Sequence, residues 1–174
     1  MQVSIRVAAC PEVNPSTMPA MQSLDFRVKV GDSVRFSKTV SESDVYLFAG
    51  ITGDLSDVHC NEEYMSQGAF GHRIAHGVLG LGFMSTASTL MYTPHLPHYQ
   101  GFTGVSQGYD KVRFVGPVYF GDTVTVSYTV KSLEQERLRA LADVVLTNQR
   151  GEIVVTAVHI MRWVKVGQRK AVAA

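Results

Sequence analysis

The hydrophobic and polar positions change period along this chain, and the changes mark out its elements. Val34 to Val40 alternates apolar with polar or charged side chains, the period of a strand with one buried face. Val28-Lys29-Val30-Gly31-Asp32 before it reads as a strand end and turn. Ser41-Glu42-Ser43-Asp44 offers a capping residue and early negative charge, which predicts a short helix carrying Val45, Leu47, Phe48 and Ile51 and ended by Gly50 and Gly53. Asp54 to Asn61 is polar and turn-prone, and Glu62 to Gln67 suits another helical turn before the glycine-bearing stretch Gly68 to Gly71. Gly77 to Met91 is the longest apolar segment without proline. It is hydrophobic on most faces, so a helix enclosed by other structure is expected, with Gly80 and Gly82 permitting close approach.

After a turn at Pro94 to Pro97 the pattern becomes that of strands: Gly104 to Val115, Thr123 to Leu133, Leu138 to Thr147 and Ile153 to Val164. Gly116 to Asp122 and Asn148 to Gly151 read as the turns or hairpins between them. One buried helix followed by long antiparallel strands predicts an α+β domain, the sheet curled around the helix. Met1 to Gln22, with Pro11, Pro15 and Pro19, reads as an N-terminal arm, residues 23–166 as the domain, and 167–174 as a C-terminal tail. No internal repeat is visible.

Composition narrows the function classes. With 174 residues, 45% hydrophobic and 18% charged, the chain has the material for one sizeable core rather than a disordered ensemble. A net charge of +1 without any run of Lys or Arg argues against nucleic-acid binding. Two cysteines, Cys10 and Cys60, are too few for a disulfide framework or a cysteine zinc site, so a reducing, cytoplasmic setting is expected. Val7-Ala8-Ala9-Cys10 has the look of a lipoprotein cleavage box, but Arg6 interrupts the very short apolar stretch before it. No apolar run approaches the roughly 18 residues of a spanning helix, and no membrane partner is expected.

Candidate chemistry concentrates in Thr52-Gly53-Asp54-Leu55-Ser56-Asp57-Val58-His59. On one helix Asp54 and His59 would point about 140° apart, whereas a bent loop brings both onto one small molecule such as water. Gly53, Ser56 and Asp57 favour the loop. The plainer alternative has Asp54 capping a turn and His59 partly exposed. Ile74-Ala75-His76-Gly77-Val78 then places Gly77 where the apolar helix begins, so free N–H groups and the helix dipole gather there and can stabilise charge on an oxygen. Gly77 can instead serve tight packing alone. His72 and His76 share the spacing of some zinc helices, but the glutamate of His-Glu-x-x-His is missing and Gly77 closes the segment, so no metal is expected. His95 and His98 are expected to face solvent, and His159 to be a satisfied sheet or interface residue.

Gly53-Asp54-x-x-x-x-His59, followed by Ile74-Ala75-His76-Gly77 and an apolar helix, resembles the hydratase motif of MaoC-like proteins and (R)-specific enoyl-CoA hydratases. Val112-Arg113-Phe114-Val115-Gly116-Pro117-Val118 and Phe120-Gly121-Asp122 resemble that family's later strand and turn, and the likeness runs from about Asp32 to Val164. It implies a hot-dog fold, an acyl-CoA thioester substrate and syn hydration of a trans-2-enoyl-CoA to an (R)-3-hydroxyacyl-CoA. It also implies Asp54 and His59 as the catalytic pair, Gly77 as the amide that holds the thioester oxygen and Ser85 as a supporting residue. No cofactor is implied, coenzyme A being part of the substrate. Relatives usually carry Asn-Pro where this chain has Ser56-Asp57, and Asp57 would perturb Asp54 or His59 if it pointed inward. A hot-dog thioesterase and a non-catalytic acyl-CoA-binding subunit are the rival readings, and the intact Asp54–His59 pair argues against both. The resemblance further implies a homodimer or a higher oligomer built from dimers. Tyr128, Trp163 and alternating residues of the last strands are candidates for that contact, or equally for the core. Some charges of the basic stretch Lys165 to Lys170 could meet the coenzyme's phosphates.

Overall fold

Five antiparallel strands make one sheet in the order β1-β3-β4-β5-β2, and a helix lies across its concave face. The computed structural model describes residues 24–99 and 101–166, so the whole of the expected arm, with Cys10, and the tail 167–174 lie outside the described residues. In chain order the elements are β1 (Ser33–Thr39), α1 (Glu42–Thr52), the short α2 (Asp57–Cys60) and α3 (Glu62–Ser66), then α4 (Gly77–Tyr92). A 3-10 turn, Thr93–His98, extends α4 before β2 (Phe102–Phe114), β3 (Thr123–Glu134), β4 (Arg139–Thr147) and β5 (Ile153–Lys165). The predicted α+β architecture is therefore the one observed, with strand ends displaced by one or two residues.

The core follows from period two meeting period 3.6. Val124, Val126, Tyr128 and Val130 of β3, Ala140, Ala142, Val144 and Leu146 of β4, and Val155, Ala157, Met161 and Trp163 of β5 are buried at alternate positions. Against them α4 lays Gly80, Phe83, Met84, Ala87, Ser88, Met91 and Tyr92, a stripe at three- and four-residue spacing. The opposite face of α4 is bare, with Val78 and Leu90 about half exposed and Ser85 and Thr89 exposed. The expected enclosure on all sides therefore does not hold within one chain. Tyr128 and Trp163, candidates for a contact between copies, instead lie inside the core at 0% and 1% exposure. Trp163 makes edge contacts with Phe26, Tyr92 and Tyr99, and Tyr99 donates its hydroxyl to the Phe26 carbonyl at 2.6 Å. Those contacts make Leu24, Phe26 and Val28 core residues ahead of the first strand.

His159 is the ionisable side chain that β5 contributes to this core. It is fully buried, sharing hydrogen bonds with Tyr128 Oη and Ser106 Oγ, each at 2.9 Å. The expectation of a satisfied sheet residue holds. Burial lowers its pKa from the ordinary 6.5 to about 4. The folded state thus binds this proton less readily than the unfolded chain, so the associated stability is complete above pH 6.5 and is lost as pH falls toward 4. Urea titrations at pH 7.5 and 4.5 should show wild type losing about 2 to 3 kcal/mol more than a His159→Gln variant across that interval. Equal losses in both proteins would contradict the assignment.

Candidate active site

The site forms where three loops converge on the N-terminus of α4. Helix α1 is started by a capping box between Ser41 and Asp44 and stopped by Gly53, whose φ of 79° is left-handed and whose N–H reaches the Ala49 carbonyl. That stop turns Asp54 out of the helix. The next residues do not remain a loop throughout, as the sequence suggested: Ser56 opens the single turn α2, and His59 lies on it. Asn61 then caps α3 through Tyr64 N at 3.0 Å.

Residues 74–76 gather the pieces. Ile74 N–H donates to the Val58 carbonyl at 3.2 Å, and Ala75 N–H donates to the Val118 carbonyl at 2.8 Å. The Ile74 carbonyl accepts His59 Nδ1–H at 2.7 Å. A carbonyl can only accept, so Nδ1 carries the hydrogen, and in the neutral imidazole Nε2 is left as an acceptor. Asp54, His59 and His76 bring one polar side-chain atom each within 4.8 Å of the others. The Asp54 carboxylate is about half exposed and His59 is half-buried.

Beyond His59 a cavity of about 190 Å³ runs under α4. His59, His76 and Gly77 stand at its polar end, and Phe83, Val124, Leu146 and Val155 line its apolar end. Asp54 stays outside the lining. Gly77 is the first residue of α4, where an N–H has no acceptor within the helix. A Cβ added there would lie 2.8 Å from Phe114 Cδ1, so packing against this ring demands glycine as well. Ser85 lies on the bare face of α4 and does not line the cavity.

The remaining sequence candidates divide cleanly. Asp57 turns its carboxylate to Asn61 Nδ2 at 3.1 Å, away from the Asp54–His59 cluster. His72 pairs with Glu62 at 2.7 Å in solvent and does not join His76. Hydrogen bonds from His72, then from Arg73, hold the Glu62 carboxyl at about 2. Arg73 ties α1 to α3 through Glu42, Tyr46 and Glu62 and lies over the Phe120 ring. His95 is half-buried and His98 exposed. Asp54, His59 and His76 have the spacing to hold a cation, but the positive end of α4 beside them opposes one. Sequence reasoning assigned His76 no role in the site: it entered as a member of the Ile74-Ala75-His76-Gly77 motif and as a discarded zinc partner of His72. Among the described residues no helix is long and apolar enough to cross a membrane.

Comparison with known proteins gives the family and the fold. The MaoC like domain matches residues 25–166, and the chain belongs to that family of dehydratase domains. It is 41% identical over 111 residues to the (R)-specific enoyl-CoA hydratase of Rhodospirillum rubrum, spanning 63% of this chain and 71% of that protein. It is 36% identical over 125 residues to the 3-hydroxybutyryl-CoA dehydratase of Methylorubrum extorquens, spanning 71% and 74%. The (R)-hydratase from A. caviae involved in PHA biosynthesis matches the fold with a TM-score of 0.67 at 26% identity, over 78% of this chain and 96% of that one. The helix-on-sheet architecture is the hot-dog fold.

Proposed function

We propose that this chain adds water syn to a trans-2-enoyl-CoA thioester, giving an (R)-3-hydroxyacyl-CoA, or runs the reverse dehydration. The observation that carries the reading is the His59 tautomer: an imidazole with a bare Nε2, close to the Asp54 carboxylate, at the polar end of an apolar cavity. Asp54 and His59 hold one water, and Asp54 accepts its proton as the water oxygen bonds to the β-carbon. The alkene electron pair moves toward the thioester oxygen, where the Gly77 N–H strengthens its hydrogen bond as charge develops. The proton taken from the water, held by the Asp54–His59 pair, is then delivered to the α-carbon as the enolate electrons return, which completes the addition and regenerates the pair. The apolar lining suits an acyl chain, and no cofactor enters the balance.

Exposed apolar side chains on an open sheet edge and on α4 favour a homodimer. The edge strand β2 exposes Val105 and Phe114, and the bare side of α4 exposes Val78 and Leu90. Incubation with crotonyl-CoA and a longer trans-2-enoyl-CoA should lower the enoyl absorbance without releasing thiol. Thiol release with the alkene intact would mean a thioesterase. Neither change at any chain length would mean a binding subunit.

A further inference from the structure

His76 is 3% exposed and occupies the cap position of α4 without any side-chain bond to the helix. Its ring instead faces the site. Nε2–H donates to the Asp54 carbonyl at 3.0 Å and stands 3.7 Å from Asp54 Oδ2. The ring stacks on His59 with centroids 3.7 Å apart and 31° between planes, and it meets Phe48 of α1 at 4.7 Å. Nδ1 is buried without a partner. An unpaired buried nitrogen is a cost that Phe or Leu in the same space would avoid, so packing alone does not account for a histidine here. The Nε2–H contact to Asp54 does.

We propose that His76 is a positioning residue that holds Asp54 and His59 against the N-terminus of α4. The acid, the imidazole and the Gly77 amide then keep one relative placement. The inference rests on the hydratase reading above. The backbone of His76 leads directly into Gly77, while its side chain grips the Asp54 loop by a hydrogen bond and the His59 ring by stacking. Asp54 is otherwise lightly held, by Thr52 Oγ1 to its N–H at 3.3 Å and by Ser56 N–H to its carboxylate at 3.4 Å. Losing the His76 bond frees the loop to drift, and a displacement of about 1 Å costs roughly 10²-fold in rate.

The test compares His76→Phe, which keeps a ring and loses the donor, with His76→Gln, which restores an N–H near Nε2. Three readouts are taken: melting temperature, kcat and KM with crotonyl-CoA, and amide hydrogen exchange across residues 54–58. His76→Phe should melt near wild type, lose roughly 10²-fold in kcat with KM little changed, and exchange faster across the loop. His76→Gln should recover most of both effects. Wild-type kcat and exchange in His76→Phe would overturn the proposal. If wild type itself hydrates no enoyl-CoA, the hydratase reading fails separately and exchange alone decides the positioning role. Faster loop exchange in His76→Phe, reversed in His76→Gln, then supports it, and unchanged exchange refutes it. Should His76→Phe not fold, His76→Leu supplies the same comparison.

Discussion

Asp54→Asn is expected to lower kcat for crotonyl-CoA hydration by roughly 10³-fold while leaving the fold intact, the middle of the range that general acid–base groups supply. The carboxylate is about half exposed, and its hydrogen bond from Ser56 N–H is a long 3.4 Å, so an amide of the same shape fits without a buried penalty. The His59 tautomer, set by the Ile74 carbonyl, is untouched by the change. What disappears is the group proposed to take the proton from water. Melting temperature and KM should therefore stay near wild type, and the loss should fall on kcat. A variant with wild-type kcat would remove Asp54 from the chemistry and leave His59 to act without it.

The second large effect is expected at the other end of the reacting atoms. Gly77→Ala puts a methyl 2.8 Å from Phe114 Cδ1 and 3.0 Å from Cγ, closer than packed carbons tolerate. It also stands beside the first free amide of α4. Overpacking should cost about 1 to 3 kcal/mol of stability, measured by urea unfolding. Loss of the proposed contact between that amide and the thioester oxygen should reduce kcat/KM by about 10²- to 10³-fold. Adding Phe114→Ala separates the two effects. The double variant should regain stability, because the ring is half exposed and its removal leaves little cavity, without regaining turnover. Recovery of turnover as well would reduce Gly77 to a packing residue.

Much of the fold was legible because burial is written into local period. Alternation in β3, β4 and β5 identified the core face, and the glycines at positions 53 and 77 marked a real helix stop and a real helix start. The places of Asp54, His59 and Gly77 in the fold were legible for the same reason, each lying close to an element boundary, whereas their roles came only from the resemblance to MaoC-like hydratases. What spacing does not carry is convergence. His76 meets Asp54 across 22 residues and the Ile74 carbonyl meets His59 across 15, through loops whose path depends on tertiary bonds such as that from Ala75 to Val118. His72 and His76, whose spacing was set aside in the sequence, share no helix face because residues 72–76 precede α4, and His72 turns to Glu62 instead.

Tyr128 and Trp163 were ambiguous for another reason. Alternation tells which face of a strand a residue occupies but not whether that face meets a helix of the same chain or a second copy. Here it meets α4 and the segment bearing Phe26. The bare face of α4 is the converse case, since apolar composition alone could not distinguish cover by the sheet from cover by another molecule.

The most direct test of the account is hydration of a trans-2-enoyl-CoA in D₂O, followed by stereochemical analysis of the product. Syn hydration predicts one diastereomer, with the new C–O and C–D bonds on the same face of the former alkene, the R configuration at C3, and no product from Asp54→Asn on the same timescale. A mixture of diastereomers, an S alcohol, or equal product from the variant would contradict it.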